Sequence, residues 1–555
     1  MGEADRYYNP NAGGGYGAPP PPPPPQYNQQ QAYYNNAGYE APPVPPHPGQ
    51  NGAYAPDNGY GQQQQQQQQA YYTPNPPPPH ADEKYGFDQA FKVQKPKYND
   101  LWAGILLIVV FAGFVGVSAW SLNRYAATAV VGSFTFNRQT ILLFVVVLAA
   151  AFALSVGYVA LARYFTKQFI WATGILNIVW TIGTAVYYLY RGSYPAGIVF
   201  LVFGLFLAFC FYTWISRIPF STLMLQTSID VSRRYGHVYL VSLLGGIVAT
   251  ALAAWFAATL TAIYVAFSPS VGDAAGDDND ASRSDARVIG LIAFVTFAMY
   301  WVSEWLKNTV HTTVAGVYGS WYFCPHNFPK DATRGALKRA LTYSFGSIAL
   351  GSLIVAVIQF LRQLCSVARQ SSAEDGGVGG MIGVVVFCLL GCIIAILEWA
   401  VEFVNRYAFA HIALYGKAYI AAAKDTWTMI KSRGLDALIN ECLIGPVLSF
   451  GALFIGVACC LISYLFLQAR VFSRGNSGDF DDDFGNSGAT PVVMAFSFLI
   501  GFQIANVFTT PLSSGVDTIF VAMGWDPQVM YQDHPELYQN MVRVYPKVQQ
   551  TLQRR

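Results

Sequence analysis

Ten stretches of about 20 apolar residues, strung between Leu101 and Thr510, constrain this chain more than anything else in it. As a helix rising about 1.5 Å per residue, each stretch is long enough to cross a hydrocarbon layer of about 30 Å. The spans read Leu101 to Ser121, Thr140 to Leu161, Phe169 to Tyr190, Tyr194 to Trp214, Val238 to Phe267, Val288 to Leu306, Leu341 to Leu361, Gly380 to Val401, Leu443 to Leu467 and Pro491 to Thr510. The predicted fold class is therefore all-α, a polytopic membrane protein with about ten transmembrane helices. Composition agrees, with 53% hydrophobic and only 12% charged residues.

Orientation follows from the basic residues, because Lys and Arg in short loops resist translocation. With a cytosolic N-terminus, the segments left on the cytosolic side hold 24 of the 33 basic residues and all 12 lysines. The opposite side holds nine arginines and collects the acidic loops with Asp273, Asp277, Asp278 and Asp280, and with Asp479, Asp481, Asp482 and Asp483. An even number of spans returns the C-terminus to the cytosol. The net charge of +2 says nothing about partners, and no nucleic acid is expected among them. The chain opens without an apolar signal-peptide core, so the first span is expected to act as an uncleaved signal-anchor. No Asn-x-Ser/Thr sequon marks the outer loops.

The segment 1–96 is rich in Pro, Gln, Tyr, Asn and Gly, and has too little aliphatic surface to offset chain entropy, so it reads as a disordered cytosolic arm. Its unbroken run Pro19 to Pro25 favours polyproline II. The run ends Pro24-Pro25-Gln26-Tyr27, the PPxY pattern that WW domains read, which nominates Pro24, Pro25 and Tyr27 for contact with a WW-domain partner. A transmembrane domain over 97–525 and a cytosolic C-terminal tail over 526–555 complete the expected layout.

Within the ten windows only two carboxylates occur, Glu304 and Glu398. Charge at a span centre costs about 2.5 kcal/mol or more, which makes such residues functional candidates. Both lie towards the cytosolic ends of their windows, but the apolar pattern runs on past each, so a span shifted inwards would put them nearer the midplane. Helical spacing places Trp301, Glu304, Lys307, Asn308 and His311 on one face, and Glu398, Glu402, Asn405 and Arg406 on another. The pair Glu-Trp recurs as Glu304-Trp305 and Glu398-Trp399. Two readings stand side by side. Glu304 with Lys307 and Glu402 with Arg406 form boundary salt bridges, or Trp301, Glu304, Trp305, Glu398, Trp399 and Glu402 face a solute. Carboxylates among aromatic rings suit an organic cation, since a quaternary ammonium has no donor to offer.

Residues Asn405 to Asn440 carry apolar positions at helical spacing among lysines, which predicts an interfacial amphipathic helix; Phe220 to Arg234 is a weaker case. Gly346, Gly351, Gly380, Gly383, Gly391 and Gly451 with Pro446 fit either helix breaks around a midplane site or ordinary close packing. No HExxH, paired-aspartate or GxSxG pattern appears, and His311 and His411 have no second ligand at metal spacing, so no enzyme, cofactor or metal site is expected.

Four segments resemble the choline transporter-like family: Arg339–Ile354 (RALTYSFGSIALGSLI), Asn405–Lys417 (NRYAFAHIALYGK), Arg433–Ile444 (RGLDALINECLI) and Gly515–Pro527 (GVDTIFVAMGWDP). The resemblance covers about 285–550 in sequence and the first five spans by layout. The Pro- and Gln-rich arm and the short first outer loop, Leu122 to Gln139, resemble the fungal pH-nine-sensitive branch; animal members carry a large cysteine-bearing domain there. The resemblance implies a plasma-membrane transporter of a small solute, choline or a related organic cation. A membrane scaffold that recruits partners through its arm, and a channel, are the alternatives.

Overall fold

Lipid supplies no hydrogen bonds to a peptide backbone, so a chain with this many apolar runs must satisfy its N–H and C=O groups within helices. The computed structural model describes residues 97–128, 138–267, 278–374, 377–433, 444–474, 489–546 and 548–549, and among these it contains helices and no strand. The disordered-arm and PPxY expectations lie outside the described residues, as does Leu435 of the expected amphipathic helix. The helices are α1 Leu101–Thr128, α2 Arg138–Tyr164, α3 Thr166–Tyr190, α4 Tyr194–Trp214, α5 Ile218–Arg234, α6 His237–Phe267, α7 Asp278–Phe323 and α8 Ala332–Leu341. They continue with α9 Phe345–Glu374, α10 Gly377–Tyr415, α11 Tyr419–Arg433, α12 Ile444–Arg474, α13 Ala489–Trp525, α14 Pro527–Asp533 and α15 Pro535–Val544.

Among the described residues, ten apolar helices are long enough to span a membrane, one for each expected stretch. Several overrun their expected windows. The sixth, eighth and tenth apolar helices extend over Arg287–Phe323, Gly379–Tyr415 and Met494–Trp525. Glu304 and Glu398 therefore stand near the middles of their helices, and Glu402 and Asp517 also fall inside the extended apolar spans. Pro511 lies inside α13 without ending it.

The spans alternate in direction, so α5, α8, α11, α14 and α15 all fall on the side where α1 begins, the near side. Helix α7 is central and packs against α6, α8, α9, α10 and α13. Near the near side its residues Val314, Val317, Tyr318 and Tyr322 join Ala410 and Leu414 of α10 and Ile519, Phe520 and Met523 of α13 in the main core. The C-terminal segment folds onto this core: His534 Nε2 donates to the Tyr322 carbonyl at 2.9 Å, Tyr415 donates to Asp526 at 2.7 Å, and Met541 is fully buried.

The expected amphipathic helix from Asn405 divides in two. Ile412 and Tyr415 belong to the buried end of α10, and the chain turns at Gly416, whose φ of 63° suits glycine, before α11 starts. Asp100 ties this turn to the rest of the bundle. Its carboxylate accepts from the Tyr419 backbone N–H at 2.8 Å and from Ser347 at 2.7 Å. Helix α5 is amphipathic as expected, but its apolar residues Phe220, Met224, Leu225 and Ile229 are buried in protein. The glycines of the seventh span and Gly451 lie in unbroken helices and act as contact points. Gly346 meets the Asp100 backbone, Gly351 meets Phe409 and Tyr419, and Gly451 meets Tyr158.

Candidate functional site: a charged cavity between four helices

Halfway through the bundle, α7, α9, α10 and α13 leave a cavity of about 350 Å³. Its wall follows from helical repeats. Glu304, Lys307, Asn308 and His311 step along α7; Glu402, Phe403, Asn405 and Arg406 along α10; Thr510, Ser513, Ser514 and Asp517 along α13; α9 contributes Val355, and Trp399 of α10 completes the wall. None of the lining residues comes from the first five spans. Towards the near side the cavity gives way to the buried core of Val314, Tyr318, Leu414 and Phe520.

Lys307 lies between two acids, with Nζ 3.3 Å from Glu304 Oε1 and 3.5 Å from Glu402 Oε1. Glu304 also accepts from Gln359 Nε2 at 3.2 Å. Deeper in, Arg406 Nε is 3.6 Å from Asp517 Oδ2, and the guanidinium rests over the rings of Phe403 and Tyr407 at 5.9 and 5.4 Å. His311 links three helices: Nε2 is 2.8 Å from the Arg406 carbonyl, and Nδ1 is 2.8 Å from Ser514 Oγ. A carbonyl can only accept, so a neutral His311 carries its proton on Nε2 and takes the Ser514 hydroxyl proton at Nδ1. Cross-helix hydrogen bonds frame the wall, from Asn308 to Ser352 at 2.9 Å, from Asn405 to the Gly351 carbonyl at 3.0 Å, and from the Tyr419 hydroxyl to Asn405.

The structure distributes the six expected solute-facing residues unequally. Glu304, Trp399 and Glu402 line the cavity, and Trp399 stacks on Phe403 at 6.0 Å between ring centroids. Trp301 points away and donates to the Ala349 carbonyl at 2.9 Å within a second buried cluster. Trp305 meets Phe345 edge-on at 5.4 Å. Glu398 is buried against Arg362 of α9. Of the two expected boundary bridges, the one between Glu304 and Lys307 is present, and Glu402 reaches the same lysine.

Asp517, Thr510, Ser513 and Ser514 are the polar wall residues that sequence reasoning missed, and the apolar Val355 and Phe403 were missed with them. The tenth apolar window ends at Thr510, where Pro511 and the hydroxyls of Ser513 and Ser514 follow. The segment Gly515–Pro527 holds the signal, because Asp517 stands two residues before the apolar run Ile519–Met523 and at i+7 from Thr510. Among the described residues no group of three His, Cys, Asp or Glu side chains is placed to hold a metal ion.

Ten apolar helices of spanning length among the described residues, four of them lining a charged cavity, define a multi-pass membrane protein of the solute-carrier kind. Residues 198–528 match the family described as plasma-membrane choline transporter, and the chain belongs to that family. The match begins in the fourth span, earlier than the motifs alone reach. Similar proteins include Protein PNS1 of Gibberella zeae, 64% identical over 485 residues that cover 86% of this chain and 88% of that protein. Protein pns1 of Aspergillus fumigatus is 54% identical over 481 residues, covering 84% and 87%. Protein PNS1 of Saccharomyces cerevisiae is 36% identical over 480 residues, covering 83% and 87%.

Proposed function

We propose that the protein is a plasma-membrane transporter that carries choline or a related organic cation through the cavity between α7, α9, α10 and α13. One observation carries this reading. With His311 neutral, the wall holds three carboxylates, Glu304, Glu402 and Asp517, against two cations, Lys307 and Arg406, so it is one negative charge in excess. Charge inside a membrane is costly unless partnered, and a cationic cargo supplies the partner. The stacked rings of Trp399 and Phe403 add the aromatic surface that holds a quaternary ammonium, which offers diffuse charge and no donor.

The basic residues support a cytosolic near side and hence cytosolic termini, since Arg233 and Arg234 of α5, Arg334 and Lys338 of α8, and Lys424 and Lys431 of α11 all fall there. Pro24, Pro25 and Tyr27 are proposed as a WW-domain contact, which predicts that Tyr27→Ala abolishes capture of the arm by a WW domain.

Purified protein in liposomes should accumulate labelled choline with saturable kinetics. Glu304→Gln and Glu402→Gln should each raise KM, because each removes one wall charge. Conductance well above carrier turnover would identify a channel instead. Absence of uptake, with partners lost when the arm is deleted, would identify a scaffold.

A further inference from the structure

We propose that Asp517 is the carboxylate that receives the positive charge of the cargo, and that Arg406 is the resident counter-ion the cargo displaces. The inference rests on the organic-cation reading above and assigns its central contact. The three wall carboxylates are engaged to different degrees. Glu304 accepts from Lys307 and Gln359, and Glu402 faces Lys307. The Asp517 side chain is 7% exposed and held by the Tyr407 hydroxyl, yet its Oδ2 has no hydrogen-bond donor. Arg406 Nε stands 3.6 Å from that same oxygen, beyond hydrogen-bond range, so the two attract by charge alone.

A buried carboxylate oxygen without a donor is costly to maintain. It is also what a quaternary ammonium can use, because such a cation competes for charge and not for a directional hydrogen bond. The surroundings favour the exchange. Thr510, Ser513 and Ser514 spend their hydroxyl protons on the Asn506 carbonyl, the Thr510 carbonyl and His311 Nδ1, which leaves oxygen lone pairs beside Asp517 for a cation. Arg406 has somewhere to go. Its backbone carbonyl is fixed by His311, while its guanidinium lies over the rings of Phe403 and Tyr407, which can keep it when the carboxylate is taken.

The test is equilibrium binding of radiolabelled choline, and of tetramethylammonium by competition, to the full-length protein in nanodiscs. Asp517→Asn should raise the choline Kd by about tenfold or more, and Arg406→Gln should lower it by about threefold to tenfold. The double variant should bind as weakly as Asp517→Asn, and Asp517→Glu should fall between that variant and the unmodified protein. Opposite signs are the discriminating result, because a purely structural pair would weaken binding from either end. Thermal unfolding of each variant monitors folding. Should Asp517→Asn fail to fold, the sign of Arg406→Gln decides alone. Weaker binding in a folded Arg406→Gln protein, or unchanged binding in a folded Asp517→Asn protein, overturns the assignment. If the unmodified protein binds neither cation, the organic-cation reading falls and takes this inference with it; if it binds and the signs fail, only the assignment falls.

Discussion

The α3–α4 hairpin and the four helices around the cavity are built from similarly apolar segments and both bond hydroxyls within their own helices, yet the four helices also bond to one another through side chains. In the hairpin, Thr173, Thr181, Thr184 and Thr213 donate to carbonyls three or four residues earlier in their own helices. Contact between the two helices is made by rings and glycine, as where Trp171 meets Phe211 edge-on at 5.4 Å and Gly174 lies under Phe211. Around the cavity, Trp301, Asn308, His311 and Asn405 all bond to another helix. A bond within one helix says nothing about what lies beside it; a bond across helices fixes register and distance. The difference is that of a lipid-facing appendage and a pre-set frame.

The strongest way to break this contrast is to put the same side chain into a glycine of each region. A Cβ on Gly346 would run into the Asp100 backbone, which cannot rotate aside as a side chain can, whereas Gly183 of α3 has open space around it. Gly346→Val should therefore cost about 3 kcal/mol or more and abolish recovery of monodisperse protein. Gly183→Val should be recovered at the level of the unmodified chain. Equal recovery of the two would mean that the frame yields as readily as the hairpin.

Much of this frame was legible in the sequence, and the limits of that reading have physical causes. The apolar windows located all ten spans, because the hydrocarbon thickness sets a minimum length. They did not locate the helix ends. Helices that pack on protein need not stop where lipid stops, so α7 runs on to Phe323 and α13 passes through Pro511, which withholds a helical donor from the Val507 carbonyl without ending the helix. Charge and spacing pointed to the cavity-lining Glu304, Lys307, His311 and Glu402, but equally to Glu398, which pairs with Arg362 outside the cavity. For tryptophan, facing was not legible: the indole of Trp399 lines the cavity, while that of Trp301 caps a carbonyl on α9. Both sit beside carboxylates, and only the neighbouring helix distinguishes them.

That ambiguity gives the second comparison. Trp301 is 1% exposed and donates to Ala349, whereas Trp180 of α3 is 66% exposed. Trp301→Phe should lower stability by about 1–2 kcal/mol, read from the thermal midpoint, and Trp180→Phe should leave it unchanged. A third test uses acid. Burial pushes His534 below its usual value, outweighing the Tyr322 carbonyl and Asp533, which pull it up, and His326 adds to the lowering. The folded state thus keeps the ring neutral where the unfolded chain takes a proton. Stability is complete above about pH 6.5 and is lost as pH falls from there, by at most about 1.4 kcal/mol per pH unit. Protection of the amides in α14 and α15, taken relative to the intrinsic exchange rate at each pH, should fall between pH 7.5 and 5.5, and His534→Gln should remove that dependence. The α3–α4 hairpin should show none.

The smallest expected effect tests the premise under all the others. Thr313 of α7 is fully buried and Thr184 of α3 is only half-buried, but each hydroxyl donates to the carbonyl four residues back, at 2.7 and 2.8 Å. If a bond made within one helix carries no information about its neighbours, replacing either hydroxyl by a methyl of similar volume should cost little. The carbonyl keeps its own helical N–H, and no partner on another helix is left unpaired. Thr184→Val and Thr313→Val are both expected within about 0.5 kcal/mol of the unmodified protein, despite their different burial. Equal, small shifts in thermal midpoint would show that connection across helices, and not depth, separates the frame from the hairpin. A large loss at Thr313 alone would make burial the cause instead.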